Sequence, residues 1–376
     1  MKIPLCRPYL GKEEYDAVKH VLDSGWLAHG PKGKEFEEAF ARYIGVKRAV
    51  TLNSCTSALQ LAIQAQKLRG EVILPSFTFP ASANSIVIAG CRPVFAEVLP
   101  DTYNIDPEDI RKRITKKTAA IMPVHYAGQS CDMDEIMAIA DKHGLKVIED
   151  SAETLGGEFK GKKTGSFGTG CFSFFPTKNI TTGEGGMLTT DDETLARDVE
   201  AYKAHGMYSD TWTREKSERP WYRASSLAGY NFRMCDILAA IGVEQMKKIG
   251  MMNDLRRSHA KKLTAGLSGI EGVTPPVEKT HAKHVYQMYV IRLDTEKVDR
   301  LAFVKGMREL GVEANVHFDP PVHLQPFYLP WKTRLPVTEA VASSVVTLPI
   351  YPHLTDEETD FIISSVEQTV KRIRKK

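Results

Sequence analysis

A lysine and an aspartate carry the most chemistry in this chain. Lys178 closes the apolar run Cys171-Phe-Ser-Phe-Phe-Pro-Thr-Lys178 and is followed by a glycine-rich turn that ends at Gly185 and Gly186. Upstream, Lys146-Val-Ile-Glu-Asp150 reads as a buried strand ending in a carboxylate. An amine and an acid, each at the end of a core strand, suit pyridoxal phosphate. The amine forms a Schiff base with the cofactor's aldehyde, and the acid keeps the pyridine nitrogen protonated so that the ring accepts electrons. A lone lysine among 50 Lys and Arg residues would ordinarily be surface charge. The apolar run before it and the glycines after it argue for a site.

A phosphorylated cofactor needs an anion site, and the free N–H groups of a helix N-terminus supply one. Asn53-Ser-Cys-Thr-Ser57 lies between a predicted strand, residues 49–52, and an apolar helix that begins at Thr56. Its hydroxyls suit phosphate oxygens, although the same residues also suit plain helix capping. In open α/β sheets ligands bind beyond the carboxyl ends of the strands. Ser54, Cys55, Thr56, Asp150 and Lys178 all fall on that edge.

The elements that must position these residues follow from the hydrophobic pattern. Predicted strands at 49–52, 71–75, 93–95, 119–124 and 146–150 alternate with predicted helices at 56–63, 81–89, 107–114 and 134–143. Asp106 caps the third of these helices and Pro107 opens it. Such alternation implies an α/β fold with a mostly parallel sheet covered by helices on both faces. Segment 207–230 is polar and aromatic and too long for a plain connection, which suggests a structured loop at a site or subunit interface. A helix over 234–249 then leads into a second region, where a strand at 289–293 and a helix at 298–310 predict a smaller α+β domain. A chain of 376 residues exceeds one compact core, and the boundary is placed near 250, giving domains 1–250 and 251–376.

Composition excludes several classes. With 42% apolar and 26% charged residues and a formal charge of +3, nothing calls for nucleic acid or a membrane. The basic residues from Lys371 onward read as the exposed end of a helix. No apolar run approaches membrane-spanning length, and Met1-Lys-Ile-Pro-Leu5 lacks a signal peptide's apolar core. Six dispersed cysteines without a Cys-x-x-Cys pair fit a reduced compartment, so a soluble cytoplasmic protein is expected. Gly156 to Lys162 approaches a phosphate-binding loop, but Lys163 stands where Ser or Thr is required; a polar hairpin turn is the better reading. No Gly-x-Gly-x-x-Gly follows the first strand, which argues against a dinucleotide dehydrogenase. His281 and His284 have loose metal-like spacing but no companion ligands, so no metal site is expected.

The chain resembles the nucleotide-sugar aminotransferases of the DegT/DnrJ/EryC1/StrS family, a fold-type-I pyridoxal phosphate group, over nearly its whole length. The likeness is carried by Ser24-Gly-Trp-Leu27 with Gly30-Pro31, Asn53-Ser-Cys-Thr56, Pro75-Ser-Phe-Thr-Phe79, Pro123-Val-His-Tyr-Ala-Gly128 and Ile148-Glu-Asp150. It continues through Ser173-Phe-Phe-Pro-Thr-Lys178, Gly183-Glu-Gly-Gly186, Gly229-Tyr-Asn-Phe-Arg-Met234 and His323-Leu-Gln-Pro326. The resemblance implies a three-layer large domain around the sheet and a smaller α+β C-terminal domain. It implies that Lys178 links to the cofactor and shuttles the proton, that Asp150 pairs with the ring nitrogen and that Phe79 stacks on the ring. Ser54, Cys55, Thr56 and Ser173 would hold the phosphate. Asn231 would reach that phosphate from the neighbouring subunit, making the active site a property of a homodimer.

Two positions depart from the family's pattern. Glu153 stands where relatives often carry Gln or His beside the cofactor's phenolic oxygen, so its carboxylate must be protonated or face another group. Cys55 replaces a glycine or alanine, and a backbone N–H contact survives that change. The stretch from Asn315 to Phe327 resembles the sugar-facing segment of 4-aminotransferases, especially those acting on UDP-sugars, and contains His317 and His323. Trp26, His29 and Tyr286 lie in other segments that resemble substrate-lining positions. By the same resemblance L-glutamate is the donor, and a nucleotide-linked 4-keto-6-deoxy sugar carrying UDP, dTDP or GDP is the acceptor. A branch of the family with histidine in place of the lysine performs dehydration; Lys178 favours transamination. A pyridoxal-phosphate-dependent sugar dehydratase and a non-catalytic cofactor-binding regulator remain alternatives.

Overall fold

The computed structural model describes residues 1–208, 218–219 and 221–374. Residues 209–217 and 220 of the polar aromatic segment, and 375–376 of the basic tail, lie outside the described residues. The first half of the chain contains α1 (Lys12–Ser24), α2 (Pro31–Ile44), β1 (Arg48–Leu52), α3 (Cys55–Ala65), β2 (Glu71–Pro75), α4 (Pro80–Ile88) and β3 (Arg92–Ala96). It continues with α5 (Pro107–Arg113), β4 (Thr118–Ile121), α6 (Met133–His143), β5 (Lys146–Asp150), β6 (Glu158–Phe159), β7 (Lys162–Lys163), β8 (Thr169–Ser173), β9 (Gly186–Thr190) and α7 (Glu193–Lys203). Seven of these strands form one sheet in the order β1-β9-β8-β5-β4-β2-β3. Pairings from β8 across to β3 are parallel, and β9 runs antiparallel to both of its neighbours.

Period-two alternation explains why both faces are covered. Val72, Leu74, Ala120, Met122 and Ile148 point into one apolar cluster, shared with α3, α4 and α7. Their neighbours Ile73, Ile121 and Val147 point into another, shared with α6. Farther along that second face, Ala49, Phe172 and Met187 meet Phe36 and Phe40 of α2. The fold is the expected mostly parallel α/β architecture in three layers. Gly156 to Lys163 also forms the expected hairpin: β6 and β7 pair antiparallel across Lys160 and Gly161, both left-handed at φ 50° and 81°, as a tight two-residue turn requires.

The C-terminal part contains α8 (Asp236–Leu267), β10 (Val273–Thr274), β11 (Ala282–Lys283), β12 (Tyr289–Leu293), α9 (Arg300–Glu309), α10 (Pro336–Ser344), β13 (Val345–Leu348) and α11 (Asp356–Ile373). Strands β10, β12 and β13 make a small antiparallel sheet. Helix α8 runs straight through residue 250, well past the predicted end at 249. Met246, Ile249, Asn253, Arg256, Ala260, Leu263 and Leu267 form one buried stripe at spacings of three and four. Two members of that stripe are polar, which hides its continuity in the sequence. Ile3 belongs to the C-terminal core and bridges Val312, so the first residues of the chain pack with its last part. Among the described residues, no helix is long and apolar enough to cross a membrane.

His281 and His284 both serve packing. The His281 ring lies 5.0 Å from Phe159, and His284 stacks on Tyr286 with ring centroids 3.9 Å apart. Burial, with a smaller push from Arg257, lowers the His284 pKa from 6.5 to about 3. As pH falls through 6.5, the unfolded chain takes up a proton that the folded ring refuses until about pH 3. Stability should therefore fall over that window by about 1.4 kcal/mol per pH unit from this group. In His284→Asn the side-chain oxygen can still accept the Tyr286 N–H, which lies 2.9 Å from Nδ1. Thermal unfolding between pH 6.5 and 4 should show a shallower decline of Tm in the variant; parallel declines would refute the assignment.

Candidate active site

A cleft of about 440 Å³ opens beyond the carboxyl ends of the sheet strands, within the usual size of a small-molecule site. Ser54 to Thr56 form one wall, the turn from Thr78 to Ser82 a second, and the ends of β5 and β8 the floor. The C-terminal part closes the far side with Gln287, His317, Phe318 and Thr347.

Asp150 is the last residue of β5 and is buried. Ser82 Oγ donates to its Oδ2 at 2.7 Å, and the Ala152 N–H donates to Oδ1 at 3.2 Å. Burial pushes its pKa up against those two donors, and among the described residues no ion pair neutralises it. The strand end itself is fixed: Asp150 N–H donates to the Pro123 carbonyl at 2.9 Å, and His125 N–H to the Asp150 carbonyl at 3.0 Å. The neighbouring Glu149 points to the other face, where it accepts from the Gly165, Phe167 and Gly168 N–H groups and pairs with His125 Nε2 at 3.0 Å. Burial works against Glu149's ionisation, yet His125 and the backbone donors outweigh it and lower its pKa. One acid is thus spent on clamping the strand, and the next faces the cleft.

Lys178 sits in the loop between β8 and β9. Phe174 closes that loop, donating its N–H to Gly185 at 3.0 Å and accepting from the Thr182 N–H at 3.0 Å. Helix α8 pins it: Gln245 accepts from the Thr181 N–H, and Asn179 donates to Asn253 at 2.8 Å. The Lys178 ammonium donates to Glu153 Oε1 at 3.3 Å, and the other Glu153 oxygen accepts the Ala127 N–H at 2.9 Å. Glu153 therefore faces the lysine and a backbone donor.

Ser54 caps α3, its Oγ accepting the Ser57 N–H at 3.1 Å. Cys55 and Thr56 follow in the first turn, and burial pushes the Cys55 thiol far above its ordinary pKa. The helix start is held close by Gly186 at the beginning of β9, where a Cβ would lie 2.3 Å from the Ser54 carbonyl carbon and 2.5 Å from the Cys55 nitrogen. Gly186→Ala must displace that turn. We expect a folded variant to lose roughly ten-fold or more in affinity for a phosphorylated cofactor, read by titrating pyridoxal phosphate. Unchanged affinity would show that the turn is not the cradle.

Phe79 stands at the start of α4 with 62% of its surface exposed, lining the cleft with its ring 6.1 Å from that of Phe318. Ser173, also in the lining, accepts the Phe175 N–H at 3.4 Å. His317 lines the far wall with Nδ1 2.9 Å from the Thr347 hydroxyl, and burial lowers its pKa.

The other sequence candidates lie outside the cleft. Asn231 is exposed, its backbone bridged to Ala204. Trp26 Nε1 donates to the His29 carbonyl at 3.4 Å. His29 lines a separate cavity of about 590 Å³ near Lys203 and Glu37. Tyr286 is packed in the C-terminal core, its hydroxyl donating to Glu278 at 3.2 Å. His323 is fully buried, with Nδ1 2.6 Å from Ser76 Oγ and Nε2 3.3 Å from Glu339. It ties its own turn to the end of β2, and its ring nitrogens are occupied. Sequence reasoning missed Ser82 and Gln287. Ser82 shares α4 with Asn84 and Ser85, so nothing singled it out, and Gln287 follows a loop without a period and gave no signal either.

The donor set fits pyridoxal phosphate: an amine, a buried carboxylate without an ion pair among the described residues, an exposed aromatic face and a helix start with hydroxyls. Comparison with known proteins points the same way. The DegT/DnrJ/EryC1/StrS aminotransferase family matches residues 8–367. The spore coat polysaccharide biosynthesis protein SpsC of Bacillus subtilis is 39% identical over 98% of this chain and 97% of its own. The structure of Helicobacter pylori PseC, an aminotransferase involved in the biosynthesis of pseudoaminic acid, superposes with a TM-score of 0.92 at 30% identity, covering 99% of this chain and 100% of that one. DesI, solved in the presence of its TDP-sugar product, gives 0.89 at 30% identity over 99% and 93%.

Proposed function

The chain belongs to the DegT/DnrJ/EryC1/StrS aminotransferase family, and we propose that it moves an amino group from L-glutamate to a nucleotide-linked keto-sugar for amino-sugar or polysaccharide synthesis. The observation that carries this reading is the shared cleft of Lys178, Asp150 and the α3 start. Pyridoxal phosphate, when bound, supplies an electron sink and an amino-group carrier. Lys178 is the residue that links to it and carries the proton at the reacting carbon, with Glu153 keeping its Nζ oriented. Asp150 would pair with the pyridine nitrogen, Phe79 would cover the ring, and Ser54, Cys55, Thr56 and Ser173 would hold the phosphate. His317 and Thr347 lie on the acceptor side.

A second copy of the chain completes the site in this reading. Asn231 lies away from its own cleft, and Phe79 is left exposed in a single protomer. Trp26 and His29, also outside the cleft, are in the same position and would act across that interface. The relatives support a sugar acceptor: SpsC by its place in polysaccharide synthesis, DesI by its TDP-sugar product. The retained lysine favours transamination over dehydration, and the complete donor set favours an enzyme over a regulator.

The test is the visible spectrum of the protein loaded with pyridoxal phosphate, recorded before and after L-glutamate and then with UDP-, dTDP- and GDP-linked 4-keto-6-deoxy sugars. Bleaching by glutamate and recovery with one sugar is the expected result and names the acceptor. A band that glutamate never bleaches would overturn the donor; recovery with no keto-sugar would overturn the acceptor class.

A further inference from the structure

Arg256 is a full positive charge buried in α8, 2% exposed. Nη1 donates to the Ile350 carbonyl at 2.9 Å, while Nε has no hydrogen-bond partner. No carboxylate among the described residues pairs with it. The Cys6 thiol lies beside it, in surroundings that include the charge of Lys178, and His353 also feels its charge. Burial opposes the charge on Arg256, though a guanidinium stays protonated at ordinary pH. An uncompensated buried cation is costly to keep, so its place in the structure calls for an anion that arrives.

That place is the wall of the catalytic cleft. Cys6 and Ile350, the two groups that Arg256 touches, both line the cavity. Among the described residues of the lining, Lys178 is the one lysine and there is no arginine. Lys178 is committed to the cofactor in the proposed reaction, and the buried His317 has its pKa lowered. Arg256 is then the cation that stands just behind this side of the lining, held against the Ile350 carbonyl. The Cys6 thiol is neutral, since burial raises its pKa, and its contacts to the Pro176 and Thr177 carbonyls are long at 3.9 Å. It can exchange them, donating S–H to a carboxylate while its sulfur faces the guanidinium.

We propose that Arg256, acting through the wall at Cys6 and Ile350, is the counter-charge for a carboxylate of the amino-acid donor. The inference rests on the aminotransferase reading above and assigns a counter-charge to the donor alone. The probe is glutarate, a dicarboxylate without an amine, titrated calorimetrically into the cofactor-loaded enzyme and into Arg256→Met, Arg256→Lys and Cys6→Ala, with UDP as the comparison ligand. Arg256→Met should weaken glutarate by roughly 10- to 100-fold, with Arg256→Lys and Cys6→Ala weakened less and UDP unchanged in all. In the half-reactions, the glutamate step should slow in Arg256→Met while the keto-sugar step stays within about two-fold. Glutarate affinity unchanged in folded Arg256→Met would overturn the proposal. So would an equal loss for glutarate and UDP, or a Cys6→Ala variant that binds glutarate like the wild type. A wild type that binds glutarate but never accepts an amino group from L-glutamate would refute the transaminase reading while leaving the carboxylate site decided by the titration.

Discussion

Asp150→Asn should make the cofactor-free protein more stable and the enzyme at least about a hundred-fold slower. Burial raises the Asp150 pKa above its ordinary 3.8. Below pH 3.8 the carboxyl is neutral in both folded and unfolded chains and makes no difference. As pH rises toward the shifted value, the unfolded chain releases its proton first, so folding loses stability, and the loss persists at neutral pH. An asparagine removes that penalty. Its oxygen can accept the Ala152 N–H, and its amide can donate to Ser82 Oγ, whose proton then turns to the Thr78 hydroxyl 2.8 Å away. The network survives without the charge. What disappears is the anion that would hold a pyridine nitrogen protonated, and with it the electron sink. Differential scanning calorimetry of the cofactor-free protein and the rate of the glutamate half-reaction should move in opposite senses. If both fall together, Asp150 is a structural acid; if neither rate nor spectrum changes, the cofactor nitrogen lies elsewhere.

That crossing of stability and function also explains what could be read from the sequence. Strands 71–75 and 146–150 are legible because buried parallel strands are apolar on both faces, and the structure returns them with the same bounds. A carboxylate ending such a strand is conspicuous because the fold gains nothing by placing it there. Polar residues that do serve the fold give no such contrast. Asn253 and Arg256 lie on the buried stripe of α8 and break its apolar rhythm, so the helix looked complete at 249. His317 and His323 show a second limit. Both lie in one irregular stretch, yet one ring lines the cleft and the other is fully buried against Ser76. Without a helix or strand period, spacing cannot say which way a side chain turns. Tyr286 fails for the same reason, its backbone being left-handed at φ 43° and its ring turned into the core. Ser82, which orders Asp150, comes from another element and becomes visible only in the fold, and Glu153, though legible in the sequence, shows its pairing with Lys178 only there.

Lys178 allows the charge and the nucleophile to be separated. Lys178→Arg should keep the pairing with Glu153, and therefore the fold, because a guanidinium presents its donors at similar reach. It should nevertheless lose the absorption band of the lysine-linked cofactor and at least about a thousand-fold in transamination, since a guanidinium does not give up its proton to attack an aldehyde or to act as a base. Lys178→Ala should lose the same activity and also stability. Glu153 is buried and would be left with the Ala127 N–H as its remaining partner, at a cost of about 1–3 kcal/mol. The two variants thus share a catalytic defect and differ in Tm. A purely electrostatic role for Lys178 predicts the reverse: substantial activity in the arginine variant and loss only in alanine. Small primary amines give a further separation, because they can enter the space vacated in Lys178→Ala and carry the proton. Partial recovery there, with none in Lys178→Arg where the guanidinium fills the space, would place the missing function at the amine itself.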